Sequence, residues 1–178
     1  MKKQETVDFR KMDWSKVDRE KAEFFYNEAA EYNDRLIESV NNLNGKAFSL
    51  LAIALPILSA ATGFLIGIWE EADKRPETAM LLFASFGLAV TVILLLLAVF
   101  PRSMYLSKGM PGSYFTGDFY KADMYHLFGF GIASLDKYIR HNKKIEAYRS
   151  RFLLAGMMFF IATPIIIVAV FLYRHLNW

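Results

Sequence analysis

Three stretches of the chain, 47–69, 79–100 and 152–173, carry no Asp, Glu, Lys, Arg or His and are apolar at nearly every position. As an α-helix each would be about 33 Å long at ~1.5 Å per residue, enough to cross the hydrocarbon core of a bilayer. Helices that are apolar on every side leave no face for water, so three of them in 178 residues predict membrane spans rather than the core of a soluble domain. The stretch 15–44 has a different pattern. Apolar side chains recur at 22, 25, 29, 32, 36, 40 and 43, while Glu23, Glu28, Glu31, Arg35 and Glu38 fall on the other face. That is the period of an amphipathic helix, with Ser15 and Asp18 resembling a capping box at its start. Neither Pro nor Gly interrupts it before Gly45, so it is expected to run on into the first span. Its apolar stripe needs cover, either from the 101–151 segment or from other copies of the chain.

Between the second and third spans, Pro101, Gly109, Pro111, Gly112 and Gly117 predict a loop with several reversals. Helical character is expected after Asp118, interrupted by Gly129-Phe130-Gly131. A further helix should then start near Ser134, with positions 135, 139, 142 (an Asn), 145 and 148 on one face, and enter the last span. The expected fold is an all-α membrane protein. It divides into an amphipathic helix (1–46), a transmembrane hairpin (47–100), a helical insertion (101–151) and a third span with its tail (152–178).

Charge gives this layout an orientation. The loop "EEADKRPET" between the first two spans holds two basic and four acidic residues, whereas 101–151 holds nine basic and four acidic ones. Positively charged segments stay on the inner side, so the N-terminus and the insertion are expected to be cytoplasmic and the C-terminus external. Trp69 and Trp178 then fall at the outer interface and Tyr105 at the inner one. Composition agrees: 54% of residues are hydrophobic and the mean hydropathy is +0.22. The absence of cysteine excludes disulfides and thiolate chemistry. The first apolar run follows 46 charge-rich residues, so no cleaved leader is expected.

Candidate chemistry is concentrated in three places. In the first span, small or kinking residues recur at 45, 49, 52, 56, 59, 63 and 67. Such a stripe serves close helix packing, with "GFLIG" an instance of the small-xxx-small pattern. It serves equally as a pore wall, where Ser49, Ser59 and Thr62 supply hydroxyls and Pro56 frees a carbonyl. In a ring of subunits both hold, with Ser49, Pro56 and Ser59 toward the axis and Gly63 and Gly67 toward a partner helix. Shorter stripes occur at Ala84, Gly87, Thr91 and Ala98, and at Ala155, Ala162 and Ala169. Glu70, Glu71, Asp73 and Glu77 are either an ordinary solvated loop or, in a symmetric oligomer, a ring that concentrates cations at the external mouth.

In the insertion, cations alternate with rings: Arg102, Tyr105, Lys108, Tyr114, Phe115, Phe119, Tyr120, Lys121, Tyr125, Phe128 and Phe130. Cations on phosphates with rings on bases are what binding of a nucleotide or single-stranded nucleic acid requires. Rings filling a small core, with cations answering lipid headgroups, are the alternative. Arg102, just beyond the second span, is the charge best placed to couple such binding to the spans. His126, His141 and His175 have no metal-ligand spacing, "GFGIAS" follows a helix and lacks a third glycine, and no span carries an ionisable group. Neither enzymatic activity nor a metal or cofactor is expected.

A helix entering the first span through "GKA", a second span ending in "PR", an aromatic "YF" a dozen residues later, and helices feeding a last span resemble a known group. They are similar to the transmembrane effectors of bacterial nucleotide-signalling antiphage systems, the Pycsar-type and SLATT-like membrane effectors, and most of all to the small Hailong-type channel effectors. The positions that match are Lys46, Pro101, Arg102, Tyr114 and Phe115. The resemblance implies a homo-oligomeric ion channel, a tetramer, in the bacterial inner membrane, whose opening depolarises the cell and arrests growth. It also implies a signal made by a partner nucleotidyltransferase, which in the Hailong case is short single-stranded DNA that holds the channel closed. The chain lacks the added sensor regions of the larger Pycsar and SLATT proteins, so its own 101–151 insertion would have to bind that signal. The competing expectation is a non-conducting membrane adaptor or toxin component that docks a cytoplasmic protein.

Overall fold

A computed structural model describes residues 13, 16–68, 76–107 and 124–176. Three α-helices account for almost all of them: α1 (Arg19–Gly67), α2 (Pro76–Val99) and α3 (Met124–Leu176), with no strand among the described residues. Each contains a segment long and apolar enough to cross a membrane, as the three charge-free stretches predict.

α1 is a single 49-residue helix, so the expected passage from the polar stretch into the first span is borne out. Asp18 caps it, its carboxylate accepting the Glu20 N–H at 3.3 Å, and Glu20 sits in the first turn where the helix dipole favours an acid. Ser15 of the expected capping box lies outside the described residues. α2 opens on Pro76, whose missing N–H costs nothing in a first turn. It stops ahead of Pro101, which disfavours helical geometry at Phe100.

α3 corrects one expectation. Gly129-Phe130-Gly131 does not break it; the helix runs unbroken for 53 residues. Gly131 is there for space rather than for flexibility, since a Cβ at this position would lie 2.7 Å from Cε2 of Tyr26. The glycine lets an aromatic ring of α1 lie against the α3 backbone, and Tyr26 also packs on Phe128 with ring centroids 5.8 Å apart.

The chain forms two compact units: the described residues within Met1–Ser39 and Arg102–Glu146, and those within Val40–Pro101 and Ala147–Trp178. In the first unit α1 and α3 pair in parallel, as Tyr26 against Gly131, Asn33 against Asn142 and Ser39 against Glu146 establish. The buried line on α1 here is Ala22, Asn33 and Leu36, while Phe25 and Tyr32, expected on the apolar face, are exposed. In the second unit the core joins Ala47, Leu51 and Ala54 of α1 with Val92, Leu95 and Ala98 of α2 and Leu153 of α3. α2 is the most enclosed span, with 39% of its apolar window buried against 11% and 17% for the others.

Candidate functional site

Beyond Pro101 the chain is neither helix nor strand through Ser107, and among the described residues 102–107 make no bond from main chain to main chain. Side chains hold this strap instead. Tyr105 N–H donates to Asn142 Oδ1 at 3.1 Å, which turns Asn142 Nδ2 toward Tyr105 O (2.8 Å) and Asn33 Oδ1 (2.8 Å). Asn33 Nδ2 donates to the same carbonyl at 3.0 Å and to Ser107 Oγ at 2.9 Å. The Ser107 hydroxyl then lies 2.6 Å from Asp34 Oδ1 and 3.0 Å from Ala30 O, to which its single proton is shared.

Both amides are fully buried; each nitrogen donates twice and each oxygen accepts once. Each bond contributes a net ~0.5–1.5 kcal/mol, but removing one amide would strand buried partners at ~1–3 kcal/mol apiece. The Tyr105 ring stacks on Tyr138, with centroids 4.8 Å apart and planes at 12°, and meets the edge of His141 at 4.9 Å. His141 Nε2 lies 3.1 Å from Ser103 O; a carbonyl only accepts, so Nε2 carries the proton.

In the second unit Arg149 is buried to 5% exposure, donating to Asn44 Oδ1 at 2.6 Å and Phe100 O at 3.2 Å. One guanidinium thus joins α1, α3 and the C-terminal end of α2, where helical carbonyls lack partners and the dipole favours a cation. α2 and α3 meet closely: a Cβ on Gly87 would lie 2.4 Å from Thr163 Oγ1, and one on Gly156 3.0 Å from Leu95 Cδ2. The small residues Gly87, Thr91 and Ala98 of α2 therefore form a packing seam within one subunit, as small residues do between membrane helices.

The stripe on α1 is different. Gly45, Ser49, Ala52, Pro56, Ser59, Gly63 and Gly67 are all exposed, and among the described residues nothing lies within 4 Å of a Cβ built on Gly45, Gly63 or Gly67. At ~100° per residue this face is about half a turn from Ala47, Leu51 and Ala54, through which α1 packs. The hydroxyls of Ser49, Ser59 and Thr62 donate back to the carbonyls of Gly45, Leu55 and Leu58 at 3.0, 2.9 and 2.8 Å. Their oxygens keep acceptor capacity.

Of the residues singled out from sequence, Arg102 is exposed at the start of the strap, Ser49, Pro56 and Ser59 are exposed on α1, and Thr62 is half-buried. Lys108, Tyr114, Phe115 and Lys121, with Glu70, Glu71 and Asp73, lie outside the described residues, as does the side chain of Tyr125. Of the expected aromatic set the structure brings Tyr105 onto Tyr138 and His141, neither of which the alternation of cations and rings singled out. Sequence reasoning also missed Asn33 and Arg149. A signal existed in each case, because an Asn on the core line of a helix and an Arg just ahead of a span are both out of place unless partnered.

Three long apolar helices, packed through small residues and tied by buried polar contacts, define an all-helical membrane protein with three spans. Residues 28–174 match the family of the Pycsar effector protein domain, and the chain belongs to that family of transmembrane effectors of antiphage defence. The matched range includes Asn33, Tyr105, Asn142 and Arg149. No curated protein and no solved structure gives a significant match to the chain.

Proposed function

We propose that the chain is a homo-oligomeric ion-channel effector, a tetramer in the bacterial inner membrane, whose opening depolarises the cell and arrests growth. The observation that carries this reading is the unpartnered small-residue face of α1. Its own subunit packs on the opposite side of the helix, so copies of α1 can approach one another there, with hydroxyl oxygens and the carbonyl freed by Pro56 toward a central path. Membership of the effector family supports the same reading.

In this proposal the 101–151 segment is cytoplasmic, as its nine basic against four acidic residues favour, and two spans earlier in the chain the N-terminus lies on the same side. A nucleotide signal, short single-stranded DNA or a related nucleotide made by a partner nucleotidyltransferase, binds the cytoplasmic side at Arg102, Lys108, Tyr114, Phe115, Lys121 and Tyr125. The signal acts through unequal affinity for the open and closed states, and the protein catalyses no reaction. Glu70, Glu71 and Asp73 ring the external mouth. The test is ion flux from liposomes holding the purified protein, with and without short oligodeoxynucleotides. Flux that responds to oligonucleotide and disappears in Ser49→Leu/Ser59→Leu is expected. A protein that never conducts, yet still acts in cells, would refute the channel in favour of an adaptor.

A further inference from the structure

We propose that residues 102–107 form a detachable strap, latched by its main chain onto the Asn33–Asn142 pair, and that latching and release of this strap regulates conduction. The regulatory half rests on the channel reading above; the latch itself does not.

Three observations carry the latch. First, the amides hold the main chain of Tyr105 rather than its side chain, gripping the N–H once and the carbonyl twice. A buried amide pair between two helices stabilises less than an apolar pair of similar size would, and such pairs serve to specify one arrangement over others. Here the arrangement specified includes a third segment, since the amide groups not spent on each other are spent on Tyr105 and Ser107.

Second, little apolar burial holds the strap down beyond the Tyr105 ring, which lies on Tyr138 and His141, and the half-buried Met104. Tyr105 is 43% and Leu106 66% exposed, Arg102 and Ser103 are exposed, and Ser107 is the one buried side chain among 102–107. Retention by hydrogen bonds that share atoms is cooperative and sensitive to geometry, so it is lost as a unit rather than gradually. Third, the strap follows directly on Phe100 and Pro101, where α2 ends. Chain continuity alone then makes a latched strap a restraint on the end of a span.

The chain has no cysteine, so Leu106→Cys, at an exposed site, carries one nitroxide label in the full-length protein. The label should give an ordered spectrum in this parent and a mobile component of more than half in Asn33→Leu/Asn142→Leu, whose helix content is checked by circular dichroism. Tyr105→Pro removes the N–H together with the ring and fixes φ, and should also mobilise the label, whereas Tyr105→Ala, which loses the same ring but keeps the main-chain bonds, should leave it ordered. A parental spectrum in both the double Leu variant and Tyr105→Pro overturns the latch. In liposomes the double Leu variant should change ion flux at least tenfold. A mobile label with unchanged flux, in a protein whose parent conducts, overturns the regulatory role. If the parent itself does not conduct, the channel reading fails and the label spectra still decide the latch.

Discussion

Gly87→Ala measures how closely α2 and α3 approach. The new Cβ would lie 2.4, 2.9 and 3.2 Å from Thr163 Oγ1, Cγ2 and Cβ, where contacting carbons prefer ~3.5–4 Å. Two responses are open. The helices separate by about 1 Å, losing contacts along the seam, or Thr163 changes rotamer and gives up its 2.8 Å bond to Phe159 O. Overpacking of this kind costs ~1–3 kcal/mol. Ala also exceeds Gly in helix propensity by up to ~1 kcal/mol, which masks part of the loss.

Gly63→Ala removes that ambiguity, because it brings the same propensity gain at a position with nothing within 4 Å. The difference between the two variants is then the packing term alone, about 5- to 150-fold in the unfolding equilibrium for ~1–3 kcal/mol. The assay is reversible unfolding of the monomer in micelles, followed by circular dichroism. Thr163→Ala deletes the two nearest atoms, so Gly87→Ala/Thr163→Ala should recover most of the loss, with a coupling of ~0.5–3 kcal/mol. Equal stability of Gly87→Ala and Gly63→Ala, or no relief from Thr163→Ala, would refute the reasoning.

Other substitutions probe the remaining contacts. Arg149→Met removes two hydrogen bonds from a charged donor and should lower stability by roughly 3 kcal/mol or more, with Arg149→Lys recovering part of it, measured by the same unfolding assay. Gly131→Val should cost ~1–3 kcal/mol by displacing the Tyr26 ring, and Tyr26→Ala should reduce that cost when the two are combined. Ser49→Leu and Ser59→Leu face away from the packed side of α1 and should change monomer stability by no more than ~0.5 kcal/mol; under the proposed channel function they should also alter flux and cross-linked oligomer size. A large stability loss in the isolated monomer would place those residues in the core instead.

Much of this architecture can be read from residue order. Runs without charge determine that there are three spans, since a bilayer admits no ionisable side chain without cost. The unbroken helical pattern ahead of Gly45 determines that α1 enters the first span as one continuous helix. The glycines at 129 and 131 mislead because Gly marks either a break or a close approach, and only the Tyr26 ring across from Gly131 decides which.

Which face of each span is buried was left to the tertiary structure, for a physical reason. In a helix apolar all round, the hydrophobic pattern has no direction, so the stripes on α1 and α2 look alike in sequence. One proves to be open and the other sealed against Thr163. The Asn33–Tyr105–Asn142 contacts were equally hidden. Their partners stand 37 to 109 residues apart, and each amide alone reads as an isolated polar residue until the fold brings it to a main chain that needs it.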